Sequence, residues 1–510
     1  MSNAPANADP AARIAALEAR NAELTRQLEW FRRQLFGAKS EKRLVVDAAV
    51  QPILDGWPDA ATAQPAAPAT ETVSYERRKG KQRGEADVSD EGLRFDASVP
   101  VERIALSVPA AMADAFEVIS HKTTRRLAQR PASYVVLEYV RPVVKRKRDG
   151  AVVTVPAPDG LWRGAMADVS VVAGVLVDKF SYHLPLHRQH QRMAAAGVTL
   201  ARPTLTNWVH RAAALLEPIY QAQLRSILTS KTLAIDETPI KAGRAKGRMK
   251  TAWYWPVYGE ADEVAFTWSP SRGRGHLERL LDGFEGTLLS DGAGAYARFA
   301  AERPALHHAQ CWSHTRRAFV KAEEMEPDAV AEALALIGRL YAIEAELRER
   351  DLEPEQVLAE RSLRALPAVD AFFAWCRAQC ARMDLTPSNP LAKAIAYAQE
   401  REGPLRVYLG DPSVAIDTNH LERALRTVPM GRKNWLFCWT EVGAEKVGVV
   451  QSLLTTCRLQ GVDPYRYLVD VLQRIAIHPD SRIDELTPRR WKALFADEPL
   501  RSDLDLAGAV

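Results

Sequence analysis

Two aspartates, each at the end of a short apolar run, constrain the fold of this chain more than any other feature. Asp236 follows Leu233-Ala234-Ile235, and Asp291 follows Leu288-Leu289-Ser290. Apolar runs of this length, closed by Thr-Pro or Gly, predict buried strands. A carboxylate at the end of such a strand lies at the edge of a sheet, where a rigid scaffold can aim it at a ligand. We therefore expect a mixed α/β fold with a binding site at one sheet edge.

The segments around the two aspartates alternate in a definite order. Strand candidates at residues 251–258 and 264–268 and a helix candidate at 275–281 separate Asp236 from the Asp291 strand. Further along the chain we predict a helix, a strand and a helix, at residues 294–301, 306–310 and 312–322. This order resembles that of ribonuclease-H-like folds, in which the first acid lies on the first strand and the second follows the fourth strand.

A third acid, Glu422, lies in the charged, helix-like stretch 419–423. In ribonuclease-H-like folds the third acid belongs on the helix after the fifth strand, but here it comes much later. We infer a helical insertion at about residues 323–405. Two strand-end carboxylates and one helix carboxylate suit two Mg²⁺ ions, because this hard cation takes oxygen ligands and keeps positions open for phosphate.

Five sequence blocks resemble transposases of the insertion-sequence-66 family, within the Asp-Asp-Glu (DDE) transposase superfamily. They lie in the expected order along nearly the whole chain, at residues 35–42, 234–238, 308–314, 417–424 and 431–437. The resemblance implies a ribonuclease-H-like catalytic core in which Asp236, Asp291 and Glu422 are the catalytic residues and the metal ligands. It implies Mg²⁺ as the cofactor, with Mn²⁺ as a possible substitute.

The resemblance and the helical spacing give other residues supporting roles. Asn419 and Arg426 share a helix face with Glu422, and His314 and Arg317 are expected at the rim of the site. DNA contacts are expected from Arg423, Arg432, Lys433 and Trp435. For Trp435, stacking on an unpaired base and packing in the core remain equal alternatives. The His- and Cys-containing stretch 307–314 straddles a strand end and a helix start, so we expect no zinc there.

Composition limits the class of protein. A chain of 510 residues with 47% hydrophobic and 26% charged residues predicts two to four globular domains. Five cysteines, none before Cys311, predict a reducing compartment. No apolar run has membrane-spanning length, so we expect a cytoplasmic protein acting at the bacterial nucleoid. The net charge is only +4, but basic residues gather at 77–83, 145–148 and 423–433, as expected for phosphate binding or for a solvated surface.

The predicted domains follow one another along the chain. They are a coiled-coil oligomerisation helix (10–45), a flexible linker (46–92), a small β-rich basic module (93–165), a helical region (166–228), the catalytic core (229–460) and a helical tail (461–510). Heptad spacing in the first predicts a homodimer or higher oligomer, and packing on the rest of the chain is the alternative.

Two further segments are candidate DNA contacts. The resemblance implies a zinc-ribbon-like module at the position of the β-rich module, but this sequence has no cysteine there. Its predicted hairpin has the basic tip Lys145, Arg146, Lys147 and Arg148. The helical region resembles a helix-turn-helix whose second helix carries Asn207 and Arg211, side chains that read adenine and guanine. Ordinary helical packing remains the alternative for the second segment.

We therefore expect a transposase that cleaves its element's terminal inverted repeats and joins them to target DNA. Accessory proteins encoded by the same element are possible partners. A catalytically silent DNA-binding dimer that regulates the element is the alternative from another class. A stand-alone nuclease is the enzymatic alternative.

Overall fold

The structure, a computed structural model, describes residues 93–108, 114–130, 133–245, 248–432, 434–436, 438 and 440–507. These fall within one compact unit, Arg83–Val510. The predicted coiled coil and linker lie outside the described residues. In the part that is described, no helix combines the length and hydropathy needed to cross a membrane.

The first described elements are strands. They are β1 (Arg94–Phe95), β2 (Val101–Ala105), β3 (Phe116–Arg130), β4 (Ser133–Arg146) and β5 (Val152–Thr154). β4 is central: β2 pairs with it in parallel, and β3 and β5 pair with it antiparallel. The β4–β5 connection confirms the predicted hairpin, and its turn uses Gly150 at φ 72°, a conformation that glycine adopts at little cost.

A helical block follows, made of α1 (Val169–Phe180), α2 (Leu186–Ala195), β6 (Val198–Thr199) and α3 (Arg202–Leu228). Asp168 caps α1 by accepting from the Ser170 N–H at 2.9 Å. The two helices of the predicted helix-turn-helix are present. The connection between them is the short strand β6, which pairs with β1, and α3 begins at Arg202 rather than at Thr204.

The central sheet has the order β10-β9-β7-β11-β12, and β8 pairs with β9 at its side. Its strands are β7 (Thr232–Ile235), β8 (Thr238–Ala245), β9 (Arg248–Gly259), β10 (Glu263–Ser269), β11 (Gly286–Ser290) and β12 (Leu306–Gln310). β7, β11 and β12 are parallel to one another, and β9 runs antiparallel to both of its neighbours, β7 and β10. The intervening helices are α4 (Arg274–Leu280), α5 (Gly294–Ala301) and α6 (Trp312–Val320). The mixed α/β class and the predicted order of these elements are confirmed, with one strand, β8, missed.

Helices fill the stretch between α6 and the Glu422 region. They are α7 (Pro327–Glu349), α8 (Pro354–Glu360), a π-helix (Arg361–Ala365), α9 (Leu366–Cys380), α10 (Pro390–Gln399), α11 (Glu402–Arg406) and a 3₁₀ turn (Val407–Leu409). Apolar side chains of α7 and α9, such as Ile337, Leu340 and Phe372, are fully buried. Two short helices come next, α12 (Asn419–Leu425) and α13 (Thr427–Gly431).

The long helix α14 (Glu441–Leu459) closes the free edge of the central sheet. Strand β10 donates its Val264 and Phe266 N–H groups to the hydroxyls of Thr456 and Ser452, at 3.1 and 2.8 Å. Gly448 permits this approach, because a Cβ there would lie 2.5 Å from the Phe266 carbonyl oxygen. Covering an edge strand in this way satisfies backbone groups that would otherwise pair with another chain.

The last elements return to the small sheet. They are α15 (Pro464–Arg474), a 3₁₀ segment (Asp480–Leu486), α16 (Pro488–Leu494) and α17 (Asp503–Ala507). Leu504 packs with Leu137 and Tyr139 on one face of β4, and Val136 on the other face belongs to the main core. The Tyr139 hydroxyl donates to Asp503 at 2.6 Å. Because strand side chains alternate between faces, β4 joins two apolar clusters.

Candidate active site

The two strand-end aspartates lie on the same edge of the central sheet. β7 and β11 are parallel, with Ala234 paired to Leu289, so Asp236 and Asp291 each follow a paired residue by two positions. Local backbone bonds fix both carboxylates: Asp236 accepts from the Glu237 N–H at 2.7 Å, and Asp291 from the Ala293 N–H at 2.9 Å. Parallel pairing therefore brings together two acids that are distant in sequence.

The electrostatics of this edge are unfavourable for two ionised acids. Burial raises the pKa of Asp236 to about 7, and the negative charges of Asp291 and Glu237 act in the same direction. Like charges in close proximity disfavour the ionised form. A divalent cation would relieve this repulsion, and carboxylate oxygens are the donors that Mg²⁺ prefers.

The helix that carries Glu422 is attached to the same sheet edge through Cys311. This buried residue directly follows β12, and its sulfur accepts from both the backbone N–H and the hydroxyl of Thr418, each at 3.3 Å. The Trp312 N–H also donates to the Ile416 carbonyl at 3.1 Å. Thr418 immediately precedes α12, and its carbonyl accepts from the Glu422 N–H at 2.8 Å. We call the Cys311–Thr418 contact the thiol latch.

Asp236 and Glu422 line one open cavity of about 450 Å³. Helix α6 contributes His314 and Arg317, which lie 3.8 and 3.5 Å from the Glu422 carboxylate. The remaining lining residues are Asn419, Arg423, Leu425, Arg426 and Pro429. The cavity thus combines two acids with Arg317, Arg423 and Arg426. Such a lining could bind a phosphodiester, because arginine forms charge-assisted hydrogen bonds with phosphate oxygens.

No closed metal cage is present among the described residues, which contain no group of three or more His, Cys, Asp or Glu side chains arranged to hold an ion. Asp236 and Asp291 adjoin each other at the sheet edge. Glu422 faces the shared cavity and is contacted by Arg317 and His314. The carboxylate oxygens of the three acids suit a hard divalent cation. Such a cation would also offset the negative charges of Asp291 and Glu237 next to Asp236.

Three segments of the chain match protein-family models. Residues 164–446 match the model described as Transposase IS66 family, residues 452–489 match the IS66 C-terminal element, and residues 23–104 match Transposase C of IS166 homeodomain. The first match alone covers more than half of the chain. The chain belongs to the IS66 transposase family.

Three proteins of Sinorhizobium fredii (strain NBRC 101917 / NGR234) are similar over most of their length. Uncharacterized protein y4jD is 31% identical over 494 residues, which are 92% of this chain and 95% of that protein. Uncharacterized protein y4hP is 29% identical over 504 residues, covering 92% and 89%. Uncharacterized protein y4qI is 30% identical over 411 residues, covering 77% and 75%.

In this member of the IS66 transposase family, all four predicted supporting residues line the cavity beside the acids: Asn419, His314, Arg317 and Arg426. The predicted DNA contact Arg423 lines it as well. Arg432 is exposed, and its guanidinium donates to the Pro239 carbonyl at 2.9 Å, which ties α13 to β8. Lys433 lies outside the described residues.

Trp435 requires a correction, because the structure favours core packing over base stacking. Its side chain is 1% exposed. The ring stacks on His183 with centroids 5.0 Å apart and meets Phe180 edge-on at 5.7 Å. Because the indole ring is buried against these side chains, it cannot stack on a nucleotide base. Sequence reasoning gave core packing equal weight, and burial decides between the two.

The other predicted DNA contacts do not line the cavity. On α3, Asn207 and Arg211 are exposed, and the Arg211 guanidinium lies 5.4 Å from the centre of the Trp162 ring. At the hairpin tip, Lys145, Lys147 and Arg148 are exposed, whereas Arg146 pairs with Asp149 at 2.8 Å. Their DNA-binding roles stay predictions.

Two functional features of the site were missed by sequence reasoning. One is the thiol latch, because the contact between Cys311 and Thr418 joins residues 107 positions apart and has no local sequence signal. The other is the role of Glu237, whose carboxylate pairs with Arg272 and accepts from the Tyr296 hydroxyl. These bonds hold the end of β7 against α5 and so stabilise the position of the neighbouring Asp236.

Proposed function

We propose that this chain is a Mg²⁺-dependent transposase that cleaves the ends of its insertion sequence and joins them to target DNA. The observation that carries the proposal is the shared cavity of Asp236 and Glu422, with Asp291 next to Asp236 on the same sheet edge. Membership of the IS66 transposase family supports the same activity. The strand–helix order of residues 232–320 supports a ribonuclease-H-like core, interrupted by a helical insertion before Glu422.

In this proposal Asp236, Asp291 and Glu422 hold the metal. Two Mg²⁺ ions bound by these acids would activate the attacking oxygen of a water or of a DNA 3′-hydroxyl and would stabilise the leaving oxygen. The chain's own residues bind and orient the DNA. Arg317, Arg423 and Arg426 neutralise phosphate oxygens along the cavity, and His314 and Arg317 position the Glu422 carboxylate through the contacts on its α6 side.

The remaining modules have proposed roles in assembly and recognition. The N-terminal heptads would make a homodimer or higher oligomer, and α3 with Asn207 and Arg211 would read the terminal inverted repeats. The hairpin tip at residues 145–148 and the Arg423–Lys433 region would bind the DNA backbone. Such backbone contacts supply affinity without sequence preference.

The proposal is tested with the full-length protein and DNA that carries the element's terminal inverted repeats. We expect Mg²⁺-dependent cleavage and joined product, both abolished by a chelator and restored by Mg²⁺ or Mn²⁺. Asp236→Asn, Asp291→Asn and Glu422→Gln keep the side-chain shape but remove the charge, so each should lower cleavage by orders of magnitude. Asp282→Asn, an exposed aspartate after α4, is the matched control.

Each of the other outcomes would reject the assigned site or favour one of the alternative functions. Equal cleavage by the wild type and Asp236→Asn rejects the site. Cleavage without joined product indicates a nuclease. DNA binding without cleavage under any metal condition indicates the silent DNA-binding alternative.

A further inference from the structure

A second cavity, of about 330 Å³, adjoins the proposed active cavity. It lies between α7 and the start of α12. Asn419 and Arg423 line both cavities, so the first turn of α12 forms the ridge between them. An extended ligand that occupies the active cavity can therefore continue into the second one.

The acidic side chains of the second cavity are already satisfied within the protein. Glu344 and Arg361 form a buried two-point pair, with N–O distances of 2.9 and 2.8 Å. Arg361 also donates to the Tyr408 carbonyl at 2.6 Å. Asp417 is buried and accepts from the Asn419 N–H at 3.0 Å. Two-point pairing of this kind fixes both partners and leaves little charge for a ligand.

Two cations in the cavity remain available. Arg348, in the last turn of α7, and Arg423, on α12, are both exposed. Neither guanidinium has a carboxylate partner within 4.0 Å among the residues that the structure describes. The cavity therefore presents net positive charge from two different elements, one of which belongs to the helical stretch before Glu422.

We propose that the second cavity binds the backbone of the DNA strand next to the cleaved phosphodiester, with Arg348 and Arg423 as its phosphate contacts. The inference rests on the proposed function, because it places the cut in the first cavity. DNA carries a phosphate about every 3.4 Å along the axis of each strand. A strand that continues from the first cavity over the shared residues Asn419 and Arg423 therefore brings further phosphates into the cavity that Arg348 lines.

In this assignment the helical stretch before Glu422 binds DNA in addition to connecting the central sheet to α12. Helix α7 supplies a DNA contact on one side of the cut, whereas the central sheet supplies the acids. Binding of that flank would also hold α12 between two DNA contacts and so favour the position of Glu422.

The test measures binding of labelled repeat DNA by the full-length protein, without divalent metal, over a range of salt concentrations. Each phosphate contact contributes about 0.9 to the slope of log affinity against log salt. We expect Arg348→Gln to reduce that slope by about 0.9. Arg339→Gln is the control, because Arg339 is exposed on the same helix but lies roughly two and a half turns away, on the opposite face.

The side of the cut is tested with two truncated duplexes, one lacking the DNA on each side of the cleavage point. The Arg348 effect should disappear with one of them and persist with the other. The inference is overturned if Arg348→Gln and Arg339→Gln bind alike, or if both truncations leave the effect unchanged. Failure of the proposed function would show instead as cleavage that is insensitive to Asp236→Asn.

Discussion

Lys179 is a buried cation that anchors the segment after α13. It is 9% exposed, and its ammonium group donates to the Trp435 carbonyl at 3.3 Å and lies 5.3 Å from the centre of the Trp435 ring. Burial lowers the pKa of Lys179 to about 8, partly offset by the nearby Cys438. The contacts of Lys179 with Trp435 therefore stabilise this segment, whereas burial of the Lys179 charge destabilises the folded state.

The depressed pKa of Lys179 predicts a specific pH dependence of stability. Below pH 8 the folded protein bears the full cost of the buried charge, and that cost disappears as pH rises toward the unfolded-state pKa of 10.5. From pH 7 to about pH 9.5 the wild type should gain about 2 kcal/mol from this residue, and Lys179→Met should lack that gain. Urea unfolding at both pH values measures the difference.

The control for this pH experiment is Lys321→Met, since Lys321 is exposed. Its stability relative to the wild type should be the same at both pH values. A constant difference between Lys179→Met and the wild type would contradict the assigned burial cost.

Individual residues differ in how far the sequence could predict them. The position of Asp236 and Asp291 followed from apolar runs that end in an acid, because strand ends are local features. The burial of Trp435 could not be predicted, because its partners Phe180 and His183 lie far away in sequence. The pairing of Glu237 with Arg272 could not be predicted either, because the two residues lie 35 positions apart in the sequence.

Among the elements, α12 is attached to the sheet edge through long-range bonds of Cys311 and Trp312. The chain leaves the sheet edge at Cys311, forms α6 to α11, and returns to Cys311 at Thr418. The thiol latch thus sets where α12 begins and, one turn later, where Glu422 lies. Its function is positioning, since the sulfur does not line the proposed active cavity.

Removing the latch should weaken metal binding more than it weakens the fold. Loss of one buried hydrogen bond costs about 1 kcal/mol, or about fivefold in an equilibrium constant. Thr418→Val removes one of the two bonds to the sulfur and should therefore raise the Mg²⁺ concentration for half-maximal cleavage about fivefold. Cys311→Ala removes both bonds and should raise it further, and Cys311→Ser should restore part of that loss. Cleavage rates over a Mg²⁺ titration measure this.

Cys380→Ala, at an exposed cysteine, is the control for the latch. The positioning role fails if Cys311→Ala lowers the melting temperature yet cleaves with the wild-type Mg²⁺ requirement.

The elements themselves were mostly predictable from periodicity. The exception, β8, contains Pro239 and also Gly243 at φ 70°, residues that normally mark turns. Both are tolerated because β8 forms a ladder only with β9, apart from a single bridge from Ala242 to Cys438, and its register shifts at this point. A local reading of the sequence cannot show that such a segment lies at a sheet edge.

At the scale of the whole molecule, the described chain closes on itself through α17. Leu504 is 2% exposed against Leu137 and Tyr139, and Asp503 accepts from Tyr139. The end of the helical tail is therefore stabilised by packing on the small β sheet, although the two are separated by most of the chain. Sequence reasoning placed a helical tail here but had no signal for its partner.

Truncating Leu504 should destabilise the small sheet. Leu504→Ala removes buried methyl groups and should cost about 2–5 kcal/mol, with faster proteolysis near residues 495–507. Leu506→Ala on the same helix is the matched control, because Leu506 is 56% exposed. Urea unfolding and timed proteolysis report the effect; equal behaviour of the two variants would show that α17 contributes no packing.

The separation between Tyr139 and Asp503, 364 residues, has a consequence during synthesis. At 5–20 residues per second, a ribosome makes the covering helix roughly 20 to 70 s after the sheet. Throughout that interval the apolar face of β4 around Leu137 is open to other nascent chains. Production of this protein in cells should therefore depend on chaperones that bind early, and slower translation should lower the soluble yield.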